Sequence, residues 1–108
     1  MASQYSRLLD ARPLGANQVC ERDRVLDLGA YRVIVFDPRV LVTGQGSLIL
    51  ETSAVAEEGT WRTVLTIVLT ATAAMSEVGS FLRYVRWRTD GSVSGNPVVV
   101  VDLVAKGG

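Results

Sequence analysis

Two antiparallel β-sheets packed face to face are what this sequence predicts, and three observations carry that reading. Apolar and polar residues alternate over short runs. β-branched and aromatic residues fill those runs. Gly, Pro, Asn, Asp and Ser cluster between them, about every 8–12 residues. No segment sustains a helical period, and there is no internal repeat or low-complexity tract. A chain of 108 residues, 48% hydrophobic and 20% charged, makes one small domain that can bury a core without metals or disulfides.

Taken in order, residues 1–24 are mixed in character. Leu8, Leu9 and Leu14 suit one short strand, and Arg12-Pro13 and Gly15 punctuate it. This segment reads as an N-terminal arm that can supply an edge strand, and residues 25–108 read as the sandwich domain. "VLDLGAYRVIVF" alternates Tyr31, Val33 and Val35 against Arg32, Ile34 and Phe36. Asp37-Pro38 is expected to break that strand before "RVLV" resumes it. Thr43-Gly44-Gln45-Gly46 is a turn, and "SLILETS" follows with Leu48 and Leu50 on one face and Ile49 and Glu51 on the other. "WRTVLTIVLTAT" is the cleanest strand, with Trp61, Thr63, Leu65, Ile67 and Leu69 assigned to one face. "AAMSEVGS" suits a turn or one helical turn. "FLRYVRWRT" is a strand, "DGSVSGNP" a loop, and "VVVVDLVAK" the closing strand. The last of these turns Val99, Val101, Leu103 and Ala105 to one side and Val98, Val100, Asp102, Val104 and Lys106 to the other.

Composition removes several chemistries. The formal net charge is zero, which argues against non-specific nucleic-acid binding, a function that needs a basic surplus. The chain has no histidine, and with it go the commonest general base and most transition-metal sites. Cys20 is alone, so no intrachain disulfide or CxxC metal pattern exists, and it reads as a small semi-buried hydrophobe. No signal-peptide pattern is visible, and the longest apolar runs, near Val64–Leu69 and Val98–Val101, are too short to span a bilayer. Glu57-Glu58 reads as a solvated loop tip. Asp37, Asp90 and Asn96 are loop oxygens of the kind calcium takes, but at no recognised spacing. Ser80 and Ser92 lack a base. No cofactor is expected, and the chain reads as a non-enzyme.

The arginine-aromatic run "FLRYVRWRTDG" stands out. One face carries Phe81, Arg83, Val85 and Trp87, the other Leu82, Tyr84, Arg86 and Arg88. Neither face is uniformly polar, and the last strand repeats the signal with Val98 and Val100 beside Asp102. Arginine and aromatics are enriched in interface cores. Arg83, Tyr84, Arg86, Trp87, Arg88, Val98 and Val100 are therefore the candidate partner surface, with Arg86 and Trp87 expected to serve assembly rather than stability. The competing reading is arginine stems lying over their own sheet. Trp61, Trp87, Arg86, Asp90 and Asn96 form a second candidate set, for stacking on and forking hydrogen bonds to a glycan, although Trp61 also lines up with core residues.

The order of "VLDLGAYR", "GSLILETSAVAEEGTWRTV" and "FLRYVRWRTDGSVSGNPVVVVDLVAKG" resembles galactose-binding-like jelly-roll sandwiches such as discoidin or coagulation-factor type C domains, over roughly residues 25–107. The ligand loops of that group are hardly present and no cysteine pair ties the ends. The chain resembles more closely the small β-sandwich proteins encoded among bacteriophage structural genes, in its "LLDA…G" lead-in, "DLG" strand, "GSLILETS" hairpin and "FLRYVR" strand. What these resemblances imply is a jelly-roll sandwich of about seven or eight strands. They further imply a virion protein, assembled in the host cytoplasm, that decorates or cements a capsid or joins a tail. Its expected partners are capsid or tail proteins of the same particle and further copies of itself, with neither nucleic acid nor membrane. A carbohydrate-binding module of galactose-binding-like fold is the alternative.

Overall fold

The structure, a computed structural model, describes residues 3–107 and places eight strands in two four-stranded antiparallel sheets. The strands are β1 (Ser3–Pro13), β2 (Leu26–Asp27), β3 (Val33–Val42), β4 (Ser47–Ser53), β5 (Arg62–Val68), β6 (Ser76–Val78), β7 (Tyr84–Thr89) and β8 (Val98–Lys106). A 3-10 turn at Arg22–Arg24 is the helical element among the described residues. The first sheet runs β1-β8-β3-β6 and the second β2-β7-β4-β5. Consecutive strands thus fall mostly in opposite sheets. β8 lies in the middle of the first sheet, between β1 and β3.

The period-two pattern fixes which residues face inward. From the first sheet, Ile34, Phe36, Val40, Val99, Val101, Leu103 and Ala105 are buried; from the second, Leu48, Leu50, Ile67, Leu69, Val85 and Trp87. Trp87 is the largest fully buried side chain, at 1% exposure. It was assigned above to a partner surface and to a glycan site, and it can serve neither. As an inward residue of β7 it lies between the sheets. The guanidinium of Arg12, 4.8 Å from the ring centroid, covers it at the sandwich edge. Arg12 is held there by Glu21 at 2.8 Å, while its Nε is buried without a partner.

Of residues 1–24, read above as an arm with an edge strand, residues 1 and 2 lie outside the described residues, and 3–24 are joined to the sandwich along their length. β1 pairs with β8 from Ser3↔Lys106 to Pro13↔Val98. Beyond it, Leu14 donates its N–H to Pro97 O and Cys20 donates to Trp87 O. Burial of Leu8, Leu9, Leu14 and Cys20 explains why this segment stays down. Adjacent leucines cannot both point inward on a regular strand. Here Arg7 opposes Asp102 and Leu9 opposes Val101, so Leu8 is the extra residue of a bulge that turns both leucines to the core.

Three other expectations are corrected. The strand does not break at Asp37-Pro38. β6 pairs only with Ile34, Val35 and Phe36, so Pro38 lies where that side of β3 is unpaired, and β3 continues to Val42. Ser76–Val78 is neither a turn nor a helical turn but the short edge strand β6. In β5, Leu65 opposes Leu50 and Thr63 opposes Glu51, so Val64 is inserted. This bulge reverses the alternation. Thr63 and Trp61 point outward, although Leu65 and Ile67 point in.

The outer face of the first sheet is organised by Asp102, itself only 8% exposed. Its carboxylate accepts from Arg7 Nε at 2.7 Å, Arg7 Nη2 at 3.2 Å, Tyr5 Oη at 2.7 Å and Arg39 Nη2 at 2.6 Å. β1 and β3 flank β8, which is why both neighbours can reach it. Hydrogen bonds from Arg7 foremost hold the Asp102 carboxyl below its ordinary value, against the opposing effect of burial.

Trp87→Ala should lower stability by about 3–5 kcal/mol, read as an earlier urea midpoint; a change below about 1 kcal/mol would place the ring outside the core. A carboxyl that titrates lower when folded stabilises fully above its unfolded pKa and loses that contribution as the pH falls through the folded value. Urea midpoints followed below about pH 4 should therefore fall more steeply for the wild type than for Asp102→Asn.

Candidate functional site

The outer face of the second sheet carries the most varied chemistry. Glu51, on β4, sits directly opposite Arg86 of β7. Its two oxygens are divided between neighbours: Arg86 Nε donates to Oε1 at 3.0 Å and Arg88 Nε to Oε2 at 2.9 Å. All three share one face because they occupy outward positions of adjacent strands. Glu51 is 5% exposed, so its charge needs both arginines to offset the loss of water.

Arg86 then lies over the ring of Trp61, with its guanidinium carbon 4.3 Å from the centroid. Its Nη1 is also 3.9 Å from Glu58 Oε1, a side chain that is otherwise solvated. The β5 bulge puts Trp61 here. The preceding loop is shaped by Ser53, whose Oγ accepts the N–H groups of Val55 and Ala56 and pairs with Thr60 Oγ1. Ala56 adopts a left-handed φ of 59° within that loop.

Across from this loop runs the segment before β2. Thr89 donates to Gln18 O and Cys20 to Trp87 O, so residues 18–20 lie along the upper half of β7. Between the two lies a recess of about 560 Å³, walled by Val19, Arg22, Val25, Glu57, Trp61 and Arg86. Apolar surface comes from Val19, Val25 and Trp61. Arg86, Arg22 and the Glu57-Glu58 pair supply charge of both signs. The buried Cys20 borders the recess, and burial pushes its thiol pKa up, which makes it a poor thiolate nucleophile.

Of the glycan candidates, Trp61 and Arg86 are brought together. Trp87 faces the other way, into the core. Asp90 closes the opposite end of β7: its Oδ1 accepts from Ser92 N at 3.0 Å, Ser92 Oγ at 2.7 Å and Ser47 N at 3.4 Å, which holds the loop and keeps its pKa low. Asn96 takes a left-handed φ of 52° in that loop. Ser47 is four residues along β4 from Glu51, about 13 Å, so Asp90 and Asn96 do not reach the recess. Asp37 lies on β3 in the other sheet, so the loop oxygens weighed for calcium are not assembled. Among the described residues no group of three or more His, Cys, Asp or Glu is placed to hold a metal.

The candidate partner surface is divided as well. Arg83, Tyr84, Arg86 and Arg88 belong to the second sheet, whereas Val98 and Val100 lie on the outer face of the first, with Val100 only 5% exposed. Strands adjacent in sequence are here in opposite sheets, so these residues cannot form one interface. Arg83 is engaged with Asp27 at 3.1 and 2.9 Å. The arginine stems largely cover their own sheet. Glu51, which organises the site, was read only as a strand residue on the face opposite Leu48 and Leu50; its partners become visible once β4 and β7 are known to be neighbours.

No family model matches the chain, and no curated protein matches it in sequence. Among solved structures it is similar to the SPBc2 prophage-derived protein YomS, with a TM-score of 0.63 over 97% of this chain and 94% of that one, at 11% identity. At that identity the likeness shows a shared all-β fold.

Glu51→Ala would leave the half-buried Arg86 and Arg88 without their carboxylate, and should cost about 1–3 kcal/mol in chemical denaturation. An unchanged midpoint would mean that the two ion pairs contribute nothing net.

Proposed function

We propose that this chain is a non-catalytic structural protein of a phage particle, a capsid decoration or cement protein or a tail-associated one, that binds the particle and self-associates. One observation carries the reading: two four-stranded antiparallel sheets in the order β1-β8-β3-β6 and β2-β7-β4-β5, an order that supports reading the sandwich as a jelly roll of two Greek keys. That architecture is common in viral capsid and lectin domains. A full-length fold likeness to a prophage-derived protein supports the same direction. Fold alone does not assign function, so the surface must supply the rest. Arg86, fixed by Glu51 and stacked on Trp61, forms a preorganised arginine-aromatic anchor beside apolar Val19, 48% exposed. Such anchors lose little entropy on binding and are the residue types that dominate interfaces. The particle-binding surface is therefore assigned to the recess rather than to the full set of arginines on β7.

A second reading, carbohydrate binding, is favoured by the same recess, where an aromatic ring and charged side chains of both signs meet.

Cosedimentation with capsids and tails from the phage whose genome encodes the chain tests the first reading. The wild type should pellet with one of them, and Trp61→Ala, at a partly buried position outside the core, should weaken binding by about 2 kcal/mol, some 30-fold, while the domain stays folded. A folded wild type that ignores every particle component would sink the structural reading. A glycan-array signal removed by Trp61→Ala would favour the second.

A further inference from the structure

The four sheet edges are treated very differently by the sequence. Edge strands present unpaired N–H and C=O groups, and proteins ordinarily blunt them. β2 has two residues and β6 has three, too short to template a partner. β1 is long, but it has two irregularities in register and carries Arg7, Asp10 and Arg12. β5 is seven residues long, and from Thr63 to Met75 the chain has no charged residue and no proline. Its bulge, at Val64, lies near one end and leaves Leu65–Val68 regular. Val68 is 56% and Met75 69% exposed.

The backbone of this edge is aimed outward in a definite pattern. Leu69 N–H donates to Gly46 O on the β4 side. Antiparallel ladders alternate, so Ile67 and Leu65 also direct their backbone groups to β4, and Thr66 and Val68 direct theirs away from it. β5 ends its sheet, and among the described residues no backbone bond satisfies the outward groups of Thr66 and Val68. Both side chains are exposed.

We propose that the β5 edge pairs with β5 of a second copy of this chain, antiparallel about a two-fold axis at Ile67, joining two second sheets into one of eight strands. A two-fold axis places the edge against itself, so any charge near its centre would meet a like charge. This edge has none there. In this register Thr66 pairs with Val68 of the partner and Val68 with its Thr66, which satisfies the outward groups on both chains. Leu65 and Ile67 keep the same inward face as their counterparts, and the ladder ends where the chain turns after Val68. The proposal rests on the self-association in the structural reading above and names its surface.

Sedimentation equilibrium of the full chain alone, over a concentration series, tests it. The wild type should show a monomer–dimer equilibrium. Thr66→Pro removes only an outward N–H, so it should leave the circular dichroism and thermal midpoint near wild type and yield a monomer. If that variant misfolds, Thr66→Lys/Val68→Lys decides, because it sets lysines directly opposite one another and should raise the dimer dissociation constant about tenfold or more. A wild type that stays monomeric, or variants that dimerise as the wild type does, would overturn the proposal. No particle is present in this measurement, so its failure leaves cosedimentation to judge the particle-binding reading separately.

Discussion

Each sheet has one face covered by the other sheet and one that no other described strand covers. A single carboxylate solves this on each side. Asp102 gathers Arg7, Arg39 and Tyr5 over the first sheet, and Glu51 gathers Arg86 and Arg88 over the second. The charged heads pin long aliphatic stems onto valine- and threonine-rich strands, and so shield apolar surface with side chains that would otherwise be free in water. Each carboxylate lies on an inner strand, β8 or β4. Asp102 draws its donors from both neighbours, β1 and β3, whereas Glu51 draws both of its donors from β7.

This arrangement also separates the two roles of the arginine-rich strand. Trp87 stabilises the core from the inward face of β7, while Arg86 works on the outward face one residue away. Fixing Arg86 against Glu51 orients its guanidinium over Trp61, and that pairing shapes one wall of the recess. The shape of the recess and the stability of the sheet are thus coupled through one carboxylate.

Much of the architecture was legible because local chemistry decides it. Alternation and β-branching identify the strands, and the inward sets of β7 and β8 follow from parity. Three things depend on distant parts of the chain. Sheet membership of neighbouring strands is one: β7 and β8 are separated by a single loop, yet they lie in different sheets. Bulges are another. The one at Val64 involves no glycine or proline, so nothing in the local sequence announces the phase shift that carries Trp61 outward. The one in β1 has a trace, the Leu8-Leu9 pair, which a regular strand cannot bury. The third is register, which makes Glu51 the partner of Arg86. Of the candidate site, Trp61 and Arg86 were identified by residue type, but Glu51 and the Val19–Val25 wall needed the pairing.

The position of β8 bears on how the molecule comes to be. It is last in the chain yet internal to the first sheet, bridging β1 and β3, with Lys106 opposite both Ser3 and Val33. During synthesis β1 therefore has no hydrogen-bonding partner until all seven later strands have been made, and Leu8 and Leu9 must wait in water. Closing such a long loop is entropically costly and favours slow, late completion of the sheet. The second sheet, whose β4-β5 hairpin is local, is free to form first and offer the apolar surface on which the other is laid.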